Sequence, residues 1–360
     1  MVVTETYNVL KERGNLVGVV YYTGRIKPSH RTTEMPEETQ TKTEAVVVAV
    51  TDGDTIRVTL PAADDREETL RILALDTEEC HNDNDLSRKA IRKGGKPITN
   101  LGNKAKERAR DLLGIGDTVM LHFQDSSPLD EALARHRGNY GRLLCYVVQE
   151  NGQDFQETMI REGWSPYMSK YGYARPAERH YAYIRAEALA QSEGRGIWSY
   201  TVFNPERFRR YERLLPWWHL RARVIETFRE HNKRNPGRKI LNTRTDYELI
   251  RSKAQLNESA VVFTELRHIS LLGADKAVVN TGSDTQPFKL FIPDFYSWEG
   301  QKILRLLEHR YLTIGYDGST VEKGGTNYAY AYGPLKLYND EPEITITEVS
   351  QITDAPPSAD

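Results

Sequence analysis

Residues 46–60, VVVAVTDGDTIRVTL, and residues 69–79, TLRILALDTEE, decide how this chain is read. The first stretch is an apolar run, an acidic turn (Thr51-Asp52-Gly53-Asp54-Thr55) and an alternating strand, which together signal a β-hairpin. The second is a further strand that ends on Asp76-Thr77-Glu78-Glu79. A small barrel or sheet that puts Asp54, Asp76 and Glu79 at neighbouring strand ends creates a dense negative pocket. Such a pocket is costly unless a cation fills it or water reaches it freely. Arg71, inside TLRILALD and close to those acids, gives the pocket a positive arm for an anion. Carboxylates, an inferred divalent ion and an arginine clamp are the parts that phosphodiester hydrolysis needs.

A later segment, Asn139-Tyr140-Gly141-Arg142, starts the strand 143–148 with a second arginine. The pieces VTDGDTI, LRILALDTEE, NYGRLLCYV, MIREGW and EGRGIWS occur in that order between about residues 45 and 199. On these motifs the region resembles the staphylococcal nuclease (thermonuclease) family. The resemblance implies a mainly β fold, an OB barrel of five strands with packed helices. It implies that Asp54 and Asp76 bind calcium with the main-chain carbonyl of Thr77, and that Glu79 activates or orients the attacking water. Arg71 and Arg142 become the phosphate-binding pair, and the P–O5′ bond of DNA or RNA is cut to leave 3′-phosphate ends. Tyrosines near this position in the family pack against the base and sugar, which points to Tyr171 first and Tyr167 next. One departure stands out. Where the family usually has proline between the threonine and the glutamate, this chain has Glu78. The change loosens the turn and adds a negative charge, and it bears on metal preference and rate.

The chain of 360 residues is too long for one compact domain of this type. Its formal net charge of −2 argues against a histone-like binder, but a local basic groove can coexist with acidic loops. With two cysteines no disulfide framework is required: Cys145 reads as packing in an apolar strand, and a bond to Cys80 stays open. No stretch approaches a transmembrane length, so no membrane association is expected. The N-terminus has no signal-peptide pattern, which reads as cytoplasmic if the chain is full length and secreted if a leader was removed. A monomer is assumed, with no partner protein indicated.

In chain order, residues 1–44 read as one strand (16–22) and a flexible connector, and 45–199 as the nuclease-like domain. Within that domain Arg88, Lys89, Arg92, Lys93 and Lys96 mark a basic loop, Asn103 caps a helix, and 124–137 is a polar excursion carrying a surface His136. Residues 200–258 read as a helical linker broken at Pro216, with Trp217 beside the break, either wedged between domains or, with the neighbouring arginines, a nucleic-acid contact. From 259 to 354 the order strand, strand, strand, helix, strand, strand is that of a second OB-fold barrel, and 355–360 is a tail. The open face of such a barrel is a recurrent site for single-stranded DNA or RNA, and Phe291 and Tyr330 are its expected contacts. Two rivals to a calcium-dependent nuclease remain. A non-catalytic nucleic-acid-binding scaffold would not need all five of Asp54, Arg71, Asp76, Glu79 and Arg142. A structural calcium module leaves both arginines unexplained.

Overall fold

Strands β3 (Lys42–Asp52) and β4 (Thr55–Leu60) form the expected hairpin, paired from Val46↔Thr59 to Asp52↔Thr55 across a turn of Gly53 and Asp54. Alternation settles which face is buried: Ile56, Val58 and Leu60 enter the core while Arg57 faces water. β5 (Arg66–Arg71) pairs with β4, and β6 (Thr118–His122) and β7 (Tyr146–Gln149) complete a five-stranded antiparallel sheet in the order β5-β4-β3-β6-β7. The register of β3 shifts at Val47/Ala49 and Val50/Asp52, and an extra residue at such a shift bends a strand and sharpens its twist. The two ends of the sheet thereby meet. Leu143 N donates to Thr69 O at 2.9 Å, Arg71 N to Leu143 O at 2.9 Å and Leu73 N to Cys145 O at 3.0 Å. This arrangement is consistent with an OB-like fold. The structure is a computed structural model and describes residues 6–12, 15–22, 39–80, 98–199, 209–314, 320–322 and 328–357. The basic loop of Arg88, Lys89, Arg92, Lys93 and Lys96 lies outside them, as does most of the connector.

Before the sheet, β1 (Thr6–Glu12) and β2 (Asn15–Tyr22) pair antiparallel with each other. Helix α1 (Asn100–Leu112) is capped by Thr99, whose hydroxyl accepts from Gly102 N at 3.0 Å, so it begins earlier than a cap at Asn103 allows. Its Ala105 and Ala109 are buried against the sheet. The polar excursion contains a short helix, α2 (Leu129–Arg135), anchored by buried Ala132 and Leu133. His136 follows it and is buried, its Nε2 3.1 Å from Asp125 Oδ1, instead of lying on the surface. Helices α3 (Phe155–Arg161) and α4 (Ala177–Ser192) pack together on the barrel side. Cys80 and Cys145 are both free thiols.

The expected break at Pro216 does not occur. Residues Tyr211–Arg234 form one helix, α5, of 24 residues with the proline inside it. The proline lies in the second turn and forgoes the one intrahelical bond to Glu212 O without ending the helix. At 1.5 Å per residue α5 is roughly 36 Å long, and its two halves pack in different hydrophobic clusters. Tyr211 and Trp218 join Trp198 and Ala190 of the first part, whereas Ile225 and Phe228 join Phe263, Tyr328 and Tyr330 of the last part. Between them Arg221, fully buried, donates to Glu265 Oε1 at 2.8 Å. Burial alone would raise the Glu265 carboxyl, but Arg221, with Lys170 and Arg244 behind it, holds it well below its ordinary range.

The second OB-fold barrel expected over 259–354 requires correction. The strands β8 (Leu241–Asn242), β9 (Ser259–Leu272), β10 (Lys276–Gly282), β11 (Pro287–Ile292), β14 (Tyr328–Tyr338), β15 (Glu341–Thr345) and β16 (Ile352–Thr353) form a seven-stranded mixed sheet in the order β16-β14-β15-β11-β10-β9-β8. β14 also pairs with β9 through Tyr328–Pro334, which curls the sheet. Even so, the sheet ends in the short strands β8 and β16 and is not the closed five-stranded barrel anticipated. Strand order in a sequence does not fix the number of partners. β9 and β14, with 14 and 11 residues, are long enough to take different neighbours along their length. Helix α6 (Tyr247–Gln255) lies against β14, and helix α7 (Trp298–Arg310) leads into a separate hairpin of β12 (Leu312–Ile314) and β13 (Thr320–Glu322). No helix among the described residues is long and apolar enough to cross a membrane.

Candidate active site

The β3–β4 turn and the segment after β5 bring the first acids together. Asp54 O accepts from Ile72 N at 2.9 Å, and Asp54 Oδ2 accepts from Thr77 N at 3.1 Å. Gly53 permits this approach, because a Cβ there would stand 2.8 Å from Thr77 Cγ2. Asp76 is fixed from the other side by its N–H, which donates to the buried Ser165 hydroxyl at 2.8 Å. Glu79 is held through its backbone: Thr99 N donates to Glu79 O at 3.1 Å, and a Cβ on Gly102 would lie 1.8 Å from the same oxygen. Only a glycine lets α1 run so close.

Arg71 lies at the centre. Its Nη2 is 3.1 Å from Asp54 Oδ2 and 3.0 Å from Asp76 Oδ1, and its Nη1 donates to Leu75 O at 2.7 Å. Burial lowers its pKa, but the Asp54 and Asp76 carboxylates outweigh that and leave it above its ordinary value. Arg142 arrives because Leu143 pairs with Leu70 across the sheet closure. Its Nη1 is 3.4 Å from Thr55 Oγ1, whose hydroxyl donates to Asp54 Oδ1 at 2.9 Å. Asp54, Arg71, Asp76, Thr77, Glu79 and Arg142 therefore share one locality. Burial, then Asp54, raises the neighbouring Asp52 to about 7, and Gly53 N donates to its Oδ1 at 2.7 Å in opposition. The Cys80 thiol, raised to about 11 by burial and Asp52, is no nucleophile at neutral pH.

The residues suit a hard cation in donor type: two carboxylates, the Thr77 carbonyl, and a buried Thr77 Oγ1 that has no hydrogen-bond partner among the described residues. In this arrangement the acids are held by guanidinium groups, and among the described residues no cluster of three His, Cys, Asp or Glu side chains is gathered as a metal site. One such guanidinium was invisible to sequence reasoning. Arg209, buried just before α5, places Nη2 2.9 Å from Glu79 Oε1 and pairs through Nη1 with Asp76 Oδ2. Its backbone N–H donates to Glu78 Oε1 at 3.0 Å. The one available signal was Glu78 itself, an extra acid where the resembling family has proline.

The aromatic candidates separate into two groups. Tyr171 is half-buried, with the Arg244 guanidinium over its ring at 5.1 Å. Tyr167 is buried, and its hydroxyl accepts from Ala174 N at 2.8 Å, so it packs the core and does not face a substrate. Tyr330 is likewise buried, against Phe263. Trp217 is half-buried between Lys170 at 5.7 Å and Arg221 at 5.2 Å, and half-buried Phe291 lies under Lys336 at 5.4 Å. Trp217 and Phe291 lie on the α5 and β11 elements rather than among the acids.

The turn that carries Arg142 is touched by the later part of the chain. Asp284 N donates to Asn139 O at 2.9 Å, and Arg244 Nη2 to Asn139 Oδ1 at 3.1 Å. Thr285 Cγ2 lies 3.0 Å from where a Cβ on Gly141 would stand.

An OB-like sheet with two arginines and a set of acids at its closure has the form of a nuclease-type domain. Residues 69–200 match the family model described as staphylococcal nuclease homologue, which places a domain of that family over part of the chain. The turn that carries Asp54 precedes the matched residues. An endonuclease of Bacillus subtilis (strain 168), YhcR, is 24% identical over 167 residues, or 46% of this chain. The chain spans 12% of that protein's length.

Proposed function

We propose that this protein is a nuclease that hydrolyses phosphodiester bonds of DNA or RNA by attack of water. The observation that carries the reading is the convergence of Asp54, Arg71, Asp76, Glu79 and Arg142 from separate segments within a staphylococcal-nuclease-type domain. Calcium held by Asp54, Asp76 and the Thr77 carbonyl would supply Lewis-acid polarisation of the scissile phosphate. Glu79, its side chain 37% exposed, is open enough to hold a water or take its proton. Arg142 offers a planar fork to two phosphate oxygens, and Arg71 gives charge from beneath while it orders Asp54 and Asp76. Neither arginine is a proton donor to the leaving oxygen, because guanidinium holds its proton too strongly. Tyr171 serves as the stacking surface next to the phosphate. Cleavage falls on the P–O5′ bond and leaves 3′-phosphate ends.

The test is incubation of end-labelled single- and double-stranded DNA and RNA with the full chain, in calcium and in chelator. The expected result is calcium-dependent cleavage whose products gain a 3′-hydroxyl on phosphatase treatment. Absence of cleavage on all four substrates refutes the proposal, as does full activity in a folded Arg71→Ala/Arg142→Ala double variant.

A further inference from the structure

Arg209 stands 130 positions from Glu79 in sequence, outside every motif that marks the nuclease-type domain. It nevertheless enters the acid cluster from the approach to α5. Its guanidinium engages Asp76 Oδ2 and Glu79 Oε1, and Nη1 also donates to Asp76 O at 3.3 Å. The neighbouring backbone is fastened in the same place. Arg209 N donates to Glu78 Oε1 at 3.0 Å and the Tyr211 hydroxyl donates to Asp76 O at 3.4 Å. Glu78, the residue that departs from the family pattern, is therefore the anchor of the segment that delivers Arg209. Glu78 is 1% exposed, so the anchor is a buried, built contact and not a surface ion pair of little consequence.

We propose that Arg209 is an internal counter-cation of the active site, which holds Asp76 and Glu79 until a divalent cation displaces it. The proposal rests on Asp54 and Asp76 being the cation ligands. A metal that takes Asp76 through Oδ2, the oxygen not held by Arg71, competes with the Arg209 pair, so its apparent affinity falls by up to the free energy of that pair. Displacement also takes the Arg209 hydrogen bond off Glu79 Oε1, the acid assigned to the water. One event thus loads the site and lifts a cation from its acid, and the chain sets its own threshold for metal.

Calcium titration calorimetry on the full chain tests this, with thermal unfolding in chelator as a second readout. Arg209→Gln is expected to bind calcium about tenfold tighter than the parent, a gain of ~1.4 kcal/mol. It is also expected to melt lower in chelator and recover when calcium is added. Arg209→Lys keeps a cation on the acids and stays near the parent. Arg57→Gln, which removes an exposed charge from β4, leaves affinity unchanged. Equal or weaker affinity in Arg209→Gln, with Asp76→Asn still abolishing binding, overturns the proposal and leaves the ligand assignment standing. No calcium binding by either the parent or Arg209→Gln overturns both. If Arg209→Gln is unfolded in chelator, recovery of its melting transition in calcium supports the proposal, and failure to recover overturns it.

Discussion

Glu187→Gln is expected to stabilise the protein at alkaline pH and to change it little near pH 5. Glu187 lies on α4, 7% exposed, and its Oε1 accepts from Tyr167 N at 2.8 Å. Burial raises its carboxyl from 4.5 to about 8, against the opposing pull of that one N–H. The sign follows from proton binding. Below pH 4.5 the carboxyl is protonated in both folded and unfolded chains and costs nothing. Between 4.5 and 8 the unfolded chain ionises first, so stability falls as pH rises by ~1.4 kcal/mol per pH unit. Above 8 the loss is complete, with a ceiling of ~5 kcal/mol over that interval and a working value of a few kcal/mol after local relaxation. Glutamine keeps the acceptor for Tyr167 N and removes the titration, while its buried amide N–H groups cost about 1 kcal/mol. Urea unfolding of parent and variant at pH 5, 7 and 9 measures this. The variant should gain on the parent steadily across the series. Parallel profiles would refute the argument. The effect reaches the site, because the segment that Glu187 holds also contains Ser165, the partner of Asp76 N.

Three further outcomes are expected. Arg71→Ala removes the group that offsets both Asp54 and Asp76, so it should lose about 3–5 kcal/mol of stability as well as nearly all cleavage, read by calorimetry and nuclease assay. Gly102→Ala puts a methyl onto Glu79 O and should cost about 1–3 kcal/mol while lowering turnover more than affinity; a fully active variant would show that Glu79 is not held by α1. Arg221→Met should destabilise by a few kcal/mol, because buried Glu265 keeps Arg244 at 3.3 Å but loses its Arg221 partner, and a double-mutant cycle with Glu265→Gln should recover part of that loss.

What the sequence revealed and what it hid follow a physical division. The β3–β4 hairpin was legible because its turn residues and alternating side chains are neighbours in sequence. Asp54, Arg71, Asp76 and Glu79 could be grouped from sequence because Asp54 sits in the hairpin turn, Arg71 ends β5 and the other two acids follow shortly after it. The strand expected to run on to Asp76 nevertheless stops at Arg71, and Arg142 comes next to them because Leu143 bridges Leu70. Arg209 was not, since its partners are set by how α5 docks and no local pattern encodes that. Tyr167 and Tyr330 failed as contacts for a related reason: a tyrosine's composition says nothing about which face of the chain is covered. Arg71 also differs from a purely catalytic expectation. Its buried bridge to two acids makes it part of the structure as well as a candidate phosphate ligand.

The contacts of Asp284, Thr285 and Arg244 with the Asn139–Gly141 turn have a practical consequence. Trimming the chain to its nuclease-type portion would retain Asp54, Arg71, Asp76, Glu79 and Arg142, so a motif inventory would pronounce the fragment complete. The turn presenting Arg142 would then have lost its outer wall, and Tyr171 the guanidinium stacked on it. The aim of Arg142 thus leans on residues beyond the nuclease-type portion, and a fragment that drops them would loosen the turn it was cut to preserve.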